Sequence, residues 1–240
     1  MTEVLNSMTQ VWEARKELRR RGLSCLDSIW VKYLRACGLL RGVSVGDTLK
    51  SWDVLKTARV AEQRVRKDQP ILDIGAYASE VLCVLRRLGY TDLTGVDLNP
   101  GVRAMPRADA IKYVVSDFME TPFPDQSFQM ITAVSVIEHG FDSLRLLKEV
   151  SRLLRWGGVF VVSFDYWPEK IHTIGIRLFD MEWRIFSREE VHEFVKQAMG
   201  FELIPAGELN LSASDRPIHC AGKEYTFAWL ALEKRDGAPR

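Results

Sequence analysis

From residue 70 onward, short apolar runs alternate with helical stretches, and this alternation constrains the fold more than any other feature of the sequence. The apolar runs predict seven strands, at residues 71–75, 91–97, 111–115, 128–136, 159–164, 201–209 and 225–232. Helical stretches lie between them at 78–89, 141–155 and 187–199. Such alternation predicts a doubly wound α/β domain, in which helices cover both faces of a mostly parallel, seven-stranded sheet.

The end of the chain departs from this alternation. A loop, and no helix, connects the predicted strands at 201–209 and 225–232. A parallel connection would need a crossover of a dozen or more residues, usually a helix, so a loop favours an antiparallel partner. We therefore expect one reversed strand at an edge of the sheet. Ahead of these strands, Ser187 and Glu190 have capping-box spacing and predict a helix start.

Residues 1–66 have a different pattern and predict a helical extension in front of a domain that spans residues 67–240. Helical stretches are expected at about 9–21, 24–40 and 47–66. The second stretch carries an apolar stripe with helical spacing, formed by Leu26, Ile29, Trp30, Tyr33, Leu34 and Cys37. An apolar stripe of this kind predicts that the helix packs against another part of the protein.

Composition narrows the classes of function. Lys and Arg number 33 against 32 Asp and Glu, so the net charge of +1 offers no electrostatic case for a nucleic acid or an anionic membrane as partner. No apolar run reaches the roughly 18 residues of a membrane span, and the N-terminus lacks the apolar core of a signal peptide. The four cysteines have no metal-ligand spacing, so we expect free thiols, no metal site and a cytoplasmic location.

Small and acidic residues stand where the first two predicted strands end. The first strand ends at Gly75, and Ala76 and Tyr77 lead into a helix. Such a turn allows backbone N–H groups to approach a ligand closely, with a helix N-terminus behind them. Asp97 closes the second strand, 22 positions after Gly75. A carboxylate at this spacing can accept hydrogen bonds from a ribose diol; the alternative is a strand-end aspartate that caps the next helix.

The third and fourth strands are also followed by polar residues. Asp117 can accept a hydrogen bond from an adenine amine while the neighbouring Phe118 covers the ring, and the alternative is a turn aspartate. The fourth strand leads through Ser135 to the pair Glu138-His139. Ligands of open α/β sheets bind at the carboxyl ends of the strands, so these motifs are candidates for one site.

Together these motifs resemble the class I S-adenosylmethionine-dependent methyltransferases, particularly the broad type 11 group that acts on small molecules. The matching stretch runs from about Ile71 to Phe164. The resemblance implies S-adenosylmethionine as cofactor. It implies that Asp73, Gly75 and Ala76 lie near the methionine moiety, Asp97 at the ribose, Asp117 and Phe118 at the adenine, and Ser135 beside the cofactor, with Tyr77 and Leu98 as further contacts.

One departure from the family pattern concerns the glycine turn. The family pattern is D-x-G-x-G-x-G, whereas here Gly75 is followed by Ala76, Tyr77, Ala78 and Ser79. Tyr77 brings bulk close to the expected pocket. A nicotinamide-binding Rossmann domain is the nearest rival, but its pyrophosphate needs the missing glycines. A catalytically silent relative that serves as a binding or scaffold protein is a second alternative.

The resemblance predicts methyl transfer to oxygen or nitrogen of a small-molecule acceptor, with sugar-containing and natural-product intermediates as candidates. His139 follows the fourth strand, and its ordinary pKa near 6.5 suits a general base; the alternative is a structural histidine bonded to a backbone carbonyl. Residues 165–186 form a long, aromatic-rich connection that we expect to be a lid or substrate segment, with His172 at the surface. Both a monomer and a homodimer are compatible with the sequence.

Overall fold

A computed structural model of the chain describes residues 1–40 and 42–235. The helices are α1 (Met8–Arg20), α2 (Ile29–Ala36), α3 (Ser51–Arg64), α4 (Val81–Arg87), α5 (Ser143–Leu153) and α6 (Arg188–Met199). The strands are β1 (Thr2–Val4), β2 (Ile71–Ile74), β3 (Leu93–Asp97), β4 (Lys112–Val115), β5 (Phe128–Val134), β6 (Leu154–Tyr166), β7 (Arg177–Leu178), β8 (Met181–Glu182), β9 (Leu203–Pro205), β10 (Ile218–Cys220) and β11 (Lys223–Lys234). A 3-10 helix, Pro100–Ala104, follows β3.

The main sheet confirms the predicted doubly wound α/β fold. Its strand order is β1-β11-β6-β5-β2-β3-β4, and the strands from β6 to β4 run parallel. β11 is reversed against β6, as the loop connection predicts, but its expected position at an edge was wrong, because β1, β9 and β10 also pair with β11. The sheet has nine strands where the sequence predicts seven, because the short strands β1 and β10 were not expected.

Alternation along the central strands divides the core into two layers. In β6, Val159 and Val161 point into the cluster that contains α1, α3 and α4, whereas Phe160, Val162 and Phe164 point into the cluster that contains α5 and α6. Successive side chains of a strand face opposite sides of the sheet, so a strand covered on both faces is apolar throughout. This explains why the sequence of β6 is nearly continuous in apolar residues.

Residues 1–66 contribute to the sheet and to the core as well as forming helices. β1 pairs with the middle of β11, with Glu3 opposite Trp229. Leu5, Val11 and Leu18 share one buried cluster with Ile71 of the central sheet. The N-terminal segment is therefore packed along the same hydrophobic core that supports the strand ends.

The apolar stripe expected around α2 does not pack against the rest of the chain, so that prediction was wrong. Ile29, Trp30 and Tyr33 are 80%, 74% and 60% exposed. The preceding residues are held in extended form, with Leu23 buried and the Cys25 amide bonded to Glu80. The helix therefore begins only after Ser28, and its two turns present their apolar side chains outward.

The connection after β6 is partly core and partly surface. Trp183 and Phe186 are buried, whereas Phe179 on the β7–β8 hairpin is exposed, as is His172, which confirms the surface position expected for that histidine. The capping box predicted at Ser187 is present at the start of α6. Within the described ranges, none of the helices has the length and apolarity that crossing a bilayer requires.

Candidate functional site

The turn after β2 is locked against the end of β3. The amides of Gly75 and Ala76 both donate to the carbonyl oxygen of Val96, at 2.9 and 3.1 Å. Gly75 has φ +71°, and a β-carbon at this position would overlap Cγ2 of Val136. Only glycine fits both the left-handed backbone and the space available. The turn is thereby fixed between the end of β3 and the segment after β5.

Asp73 supports this turn from beneath. Its carboxylate is fully buried and accepts hydrogen bonds from the hydroxyls of Thr132 (2.5 Å) and Ser79 (2.8 Å). Burial raises the pKa of Asp73 to about 7, although both hydroxyl donors oppose the shift. Asp73 thus joins β2, β5 and Ser79, which lies two residues before α4. Contact between Asp73 and the methionine moiety stays a prediction.

Asp97 is joined to the turn by a hydrogen bond. Its Oδ2 accepts from the backbone N–H of Tyr77 at 2.9 Å, and its Oδ1 accepts from the N–H of Asn99 at 2.8 Å. Each carboxylate oxygen can accept more than one hydrogen bond, so acceptor capacity for a ribose diol is left. Leu98 is exposed beside it, and the half-exposed ring of Tyr77 lies against Gly101.

The altered glycine turn contains a residue other than glycine with a left-handed backbone. Tyr77 occupies the second glycine position of the family pattern without a positive φ, but the next residue, Ala78, has φ +60°. A left-handed non-glycine residue is strained by about 1–2 kcal/mol. The N-terminal extension holds this residue in place, because the Gly46 amide donates to the Ala78 carbonyl at 2.7 Å.

A buried ion pair continues the contact between the N-terminal extension and the turn. Arg15 of α1 and Glu80, the residue that precedes α4, approach to 2.7 Å and are both almost fully buried. Glu80 also accepts from the backbone amide of Cys25 at 2.6 Å, and Arg15 donates to Ser51 at 2.8 Å. Every strong donor or acceptor in this cluster has a partner, which is the condition for a buried charge pair to be tolerated.

Asp117 lies at the end of β4, next to the end of β3, because the Ser116 amide donates to the Asp97 carbonyl at 3.0 Å. Its Oδ1 accepts from the Met119 amide at 2.8 Å, and its Oδ2 lies 3.5 Å from Nη2 of Arg145. Phe118 is buried in the cluster on the α5 side of the sheet. A role for these two residues at an adenine stays a prediction.

The segment after β5 carries three buried polar atoms without partners, on Ser135, Glu138 and His139. Ser135 has φ +54°, and its N–H donates to the Ser163 carbonyl at 3.0 Å while its buried hydroxyl is unpartnered. Nδ1 of His139 is likewise buried and unpartnered. Burial, with Lys50 as a smaller cause, lowers the pKa of His139 to about 4. His139 is therefore neutral at physiological pH and can accept a proton, although as a weaker base than expected from its ordinary pKa.

The fold brings together a further set of polar residues, most of which the sequence did not single out as a site. Asp53, Glu138 and Asp165 are buried carboxylates, with Ser163 and Lys50 beside them. Glu138 belongs to the pair Glu138-His139 that the sequence analysis names, and Asp165 could have been noticed because it follows a predicted strand. Asp53 gives no such signal, because it lies on the amphipathic helix α3. Within the described ranges, no group of His, Cys, Asp and Glu residues converges in a way that could hold a metal ion.

These residues fit an adenosyl cofactor on the evidence of the site itself. Gly75 leaves no space for a side chain at the turn, Asp97 has spare acceptor capacity, and the hydroxyl of Ser135 is buried without a partner. Asp97 could bind hydroxyls, and Ser135 could donate to a polar atom at the turn.

Comparison with known proteins finds a methyltransferase domain within the chain. Residues 72–162 match the family model for the methyltransferase domain. The chain is 27% identical over 157 residues to a sterol 24-C-methyltransferase of Gibberella zeae, covering 58% of this chain and 41% of the relative. It is 32% identical over 104 residues to a demethylmenaquinone methyltransferase of Staphylococcus aureus, covering 40% and 43%. The chain thus spans less than half the length of these curated relatives.

Solved structures share the fold at low sequence identity. The geranyl diphosphate C-methyltransferase of Streptomyces coelicolor, solved with S-adenosyl-L-homocysteine, superposes with a TM-score of 0.58 and 16% identity, over 80% of this chain and 91% of that one. The fold and the matched domain confirm the resemblance. Residues 72–162 therefore form a methyltransferase domain, and the chain has the fold of the class I S-adenosylmethionine-dependent methyltransferases.

Proposed function

We propose that this protein transfers a methyl group from S-adenosylmethionine to oxygen or nitrogen of a small-molecule acceptor. The observation that carries the proposal is the junction of β2 and β3, where the Tyr77 amide and the Asp97 carboxylate meet at 2.9 Å. This junction places a carboxylate with spare acceptor capacity beside a turn at which Gly75 allows close approach. The matched methyltransferase domain, which includes both residues, supports the same proposal.

The proposed roles follow from position. The cofactor, when bound, supplies an electrophilic methyl carbon on sulfur. Asp97 would bind the ribose hydroxyls, Asp117 the adenine amine, and Ser135 a polar atom near the sulfur. The chain then has to hold the acceptor in line with the methyl carbon and exclude water. His139 would accept the proton of a hydroxyl or amine nucleophile, because its ring is neutral and its Nδ1 is unpartnered.

The acceptor class that we propose is inferred from the names of the relatives. The relatives and the neighbouring structure are named for sterol, demethylmenaquinone and geranyl diphosphate, which are all small molecules. We extend only that class to this chain, with sugar-containing and natural-product intermediates as candidates. We further propose a cytoplasmic location, where the free cysteines would stay reduced, no nucleic-acid partner, and either a monomer or a homodimer.

A catalytically silent binding protein is the second candidate, and the strained Ala78 with the bulky Tyr77 in the altered turn favours it. Formation of S-adenosylhomocysteine tests the two functions. The protein is incubated with S-adenosylmethionine and a panel of hydroxylated and amino compounds, with the Asp97→Asn variant in parallel. We expect acceptor-dependent product from the native chain and little from the variant. Cofactor binding without product from any acceptor would favour the silent candidate.

A further inference from the structure

Buried polar atoms that lack hydrogen-bond partners are concentrated in one part of the molecule. Among the residues that the structure describes, nine buried side-chain nitrogen and oxygen atoms have no partner, and eight of them lie on α3 or on the segments after β5 and at the end of β6. These eight belong to Asp53, Ser135, Glu138, His139, Ser163, Asp165 and Trp167. Because native proteins leave few buried polar groups unpaired, such a concentration needs an explanation.

Three carboxylates form the centre of this region, and we call Asp53, Glu138 and Asp165 the buried acidic cluster. Asp53 is fully buried, and neither of its oxygens has a hydrogen-bond partner. Glu138 is also fully buried, and its Oε2 has none. Asp165 accepts from Trp183 Nε1 at 2.7 Å through Oδ2, while its Oδ1 is unpartnered. Four carboxylate oxygens therefore lack a donor.

A neutral side chain gives an independent indication of a ligand at the same place. The hydroxyl of Ser163 is fully buried and unpartnered. It lies beside the Asp53 carboxylate without reaching hydrogen-bond geometry. A hydroxyl that can rotate freely would normally turn toward a neighbouring carboxylate or bind another polar group. The hydroxyl of Ser163 is therefore free to bind a further polar group beside the acidic cluster.

The charges near the cluster do not balance. Lys50 is the cation beside it, with its Nζ 3.8 Å from Oδ1 of Asp165 and 3.5 Å from the ring centre of Phe227. Lys56 also acts on Asp53 but is already paired with Glu3, so among the described residues Lys50 is the ammonium left to balance the three carboxylates. Burial raises the pKa of Asp53 to about 7 and raises those of Glu138 and Asp165. Buried carboxylates are stabilised in the charged form by a second cation with hydrogen-bond donors.

The cluster lies on the side of the sheet away from the proposed cofactor contacts. Asp97 and Asp117 follow β3 and β4, whereas Asp165 ends β6, and β5 and β2 lie between them. Ser135 connects the two regions, because its N–H donates to the carbonyl of Ser163 while it lies near the turn at Gly75 through the neighbouring Val136. An acceptor positioned at the sulfur end of the cofactor would extend toward the buried acidic cluster.

We propose that the buried acidic cluster is the acceptor-binding subsite and that it takes a positively charged amino group of the acceptor. An ammonium group supplies three N–H donors and one positive charge, which suit four unpartnered carboxylate oxygens and an excess of buried acids. The group acts as an anchor and not as the nucleophile, because a protonated amine has no free electron pair. This inference rests on the proposed function, because the protein has an acceptor only if it transfers a methyl group.

Matched probes test the charge preference directly. Benzylamine and benzyl alcohol have similar size, and only the amine is a cation at neutral pH. Each is titrated calorimetrically into the protein saturated with S-adenosylhomocysteine, and again into the protein without it. We expect benzylamine to bind at least about tenfold more tightly than the alcohol. Asp53→Asn and Glu138→Gln, which keep the shape of the side chains, should each remove most of this preference.

Controls separate the subsite from other causes. Glu149→Gln removes a buried carboxylate of α5 that is already bonded to Thr121 and Arg152, and should keep the amine preference. If Asp53→Asn does not fold, Glu138→Gln carries the test. Failure of benzylamine to bind at millimolar concentration, equal binding of the two probes, or a preference that survives in Asp53→Asn and Glu138→Gln would overturn the proposal. Failure of S-adenosylhomocysteine alone to bind would count against the proposed function, and the titrations without it still decide the subsite.

Discussion

Arg15 and Glu80 form a buried, bidentate ion pair, with Nη1–Oε1 and Nη2–Oε2 distances of 3.1 and 2.7 Å. Arg15 lies on α1 and Glu80 directly follows the turn that contains Ala78. The pair therefore connects the N-terminal extension to the residues that would carry the methionine end of a cofactor. A chain that lacks the family's later glycines holds its turn by packing another segment against it.

The first prediction concerns this pair. Removing one partner of a buried ion pair leaves the other charge uncompensated and typically costs about 3–5 kcal/mol. We expect Glu80→Gln to lower the free energy of unfolding by that order, and the double variant Arg15→Met, Glu80→Leu to recover a large part of it. Urea unfolding measures both. The exposed pair Arg66–Asp68 is the control, and Asp68→Asn should leave the unfolding midpoint unchanged. A loss in Glu80→Gln no larger than in Asp68→Asn would contradict the expectation.

The second prediction compares two glycines with positive φ. A β-carbon added at Gly75 (φ +71°) would overlap Cγ2 of Val136, whereas one added at Gly89 (φ +92°) would have nothing within 4 Å. Both substitutions to alanine carry a backbone cost, but only Gly75→Ala also forces overpacking of about 1–3 kcal/mol. We expect Gly75→Ala to unfold at clearly lower urea than Gly89→Ala and to bind S-adenosylmethionine more weakly. Equal midpoints and equal affinities in the two variants would be inconsistent with the tight contact.

The third prediction concerns the pH dependence of stability. Burial raises the pKa of Asp53 from 3.8 to about 7; Asp165 adds to this shift, and Lys50 and Lys56 oppose it. Since the folded state holds this proton more tightly than the unfolded chain, the contribution to stability is fully present below about pH 4 and is lost as pH rises through about 7. Asp53→Asn cannot lose a proton. We expect the variant to gain stability relative to the native chain as pH rises from about 4 to about 7, by a few kcal/mol at most.

Urea unfolding at several pH values measures this difference, with Asp109→Asn, an exposed aspartate, as the control. In the control variant the difference from the native chain should stay flat across the same range. A flat difference for Asp53→Asn as well would show that Asp53 is ionised in the folded protein.

The fourth prediction concerns His139. Burial lowers its pKa to about 4, so the ring should remain neutral well below pH 6. We expect one imidazole signal in a nuclear magnetic resonance titration to change near pH 4, and that signal to be missing in His139→Gln. If turnover depends on His139 as a base, the activity should fall on the acid side of the pH profile near the same pH of about 4. A His139 signal that titrates near 6.5 would contradict the burial of this ring.

The strand ends could be predicted from the sequence because periodicity places them. Alternation of apolar runs and helices located Gly75, Asp97 and Asp117 at the carboxyl ends of neighbouring parallel strands, where the structure has them. The reversed strand β11 followed from a loop connection. These predictions use local patterns only, and the rules of parallel sheets extend them into three dimensions.

Other features depend on contacts between distant residues and leave no local pattern. β1 is a three-residue strand, too short to show alternation, and it forms only because β11 offers an edge. The apolar spacing of α2 predicted burial, yet no element covers that face in the described ranges. The buried acidic cluster joins an N-terminal helix to the ends of β5 and β6, and Asp53 has no motif of its own.

Calorimetric titration with S-adenosylmethionine tests whether the Asp97 carboxylate, joined to the Tyr77 amide, binds the ribose of the cofactor. We expect the native chain to bind, and Asp97→Asn to lose about tenfold or more in affinity, since hydrogen bonds to a charged group contribute about 1.5–3 kcal/mol each. Asp92→Asn, an exposed aspartate before the opposite end of β3, should bind like the native chain. No binding at millimolar cofactor, or equal affinity in Asp97→Asn and Asp92→Asn, would show that this carboxylate does not hold the cofactor.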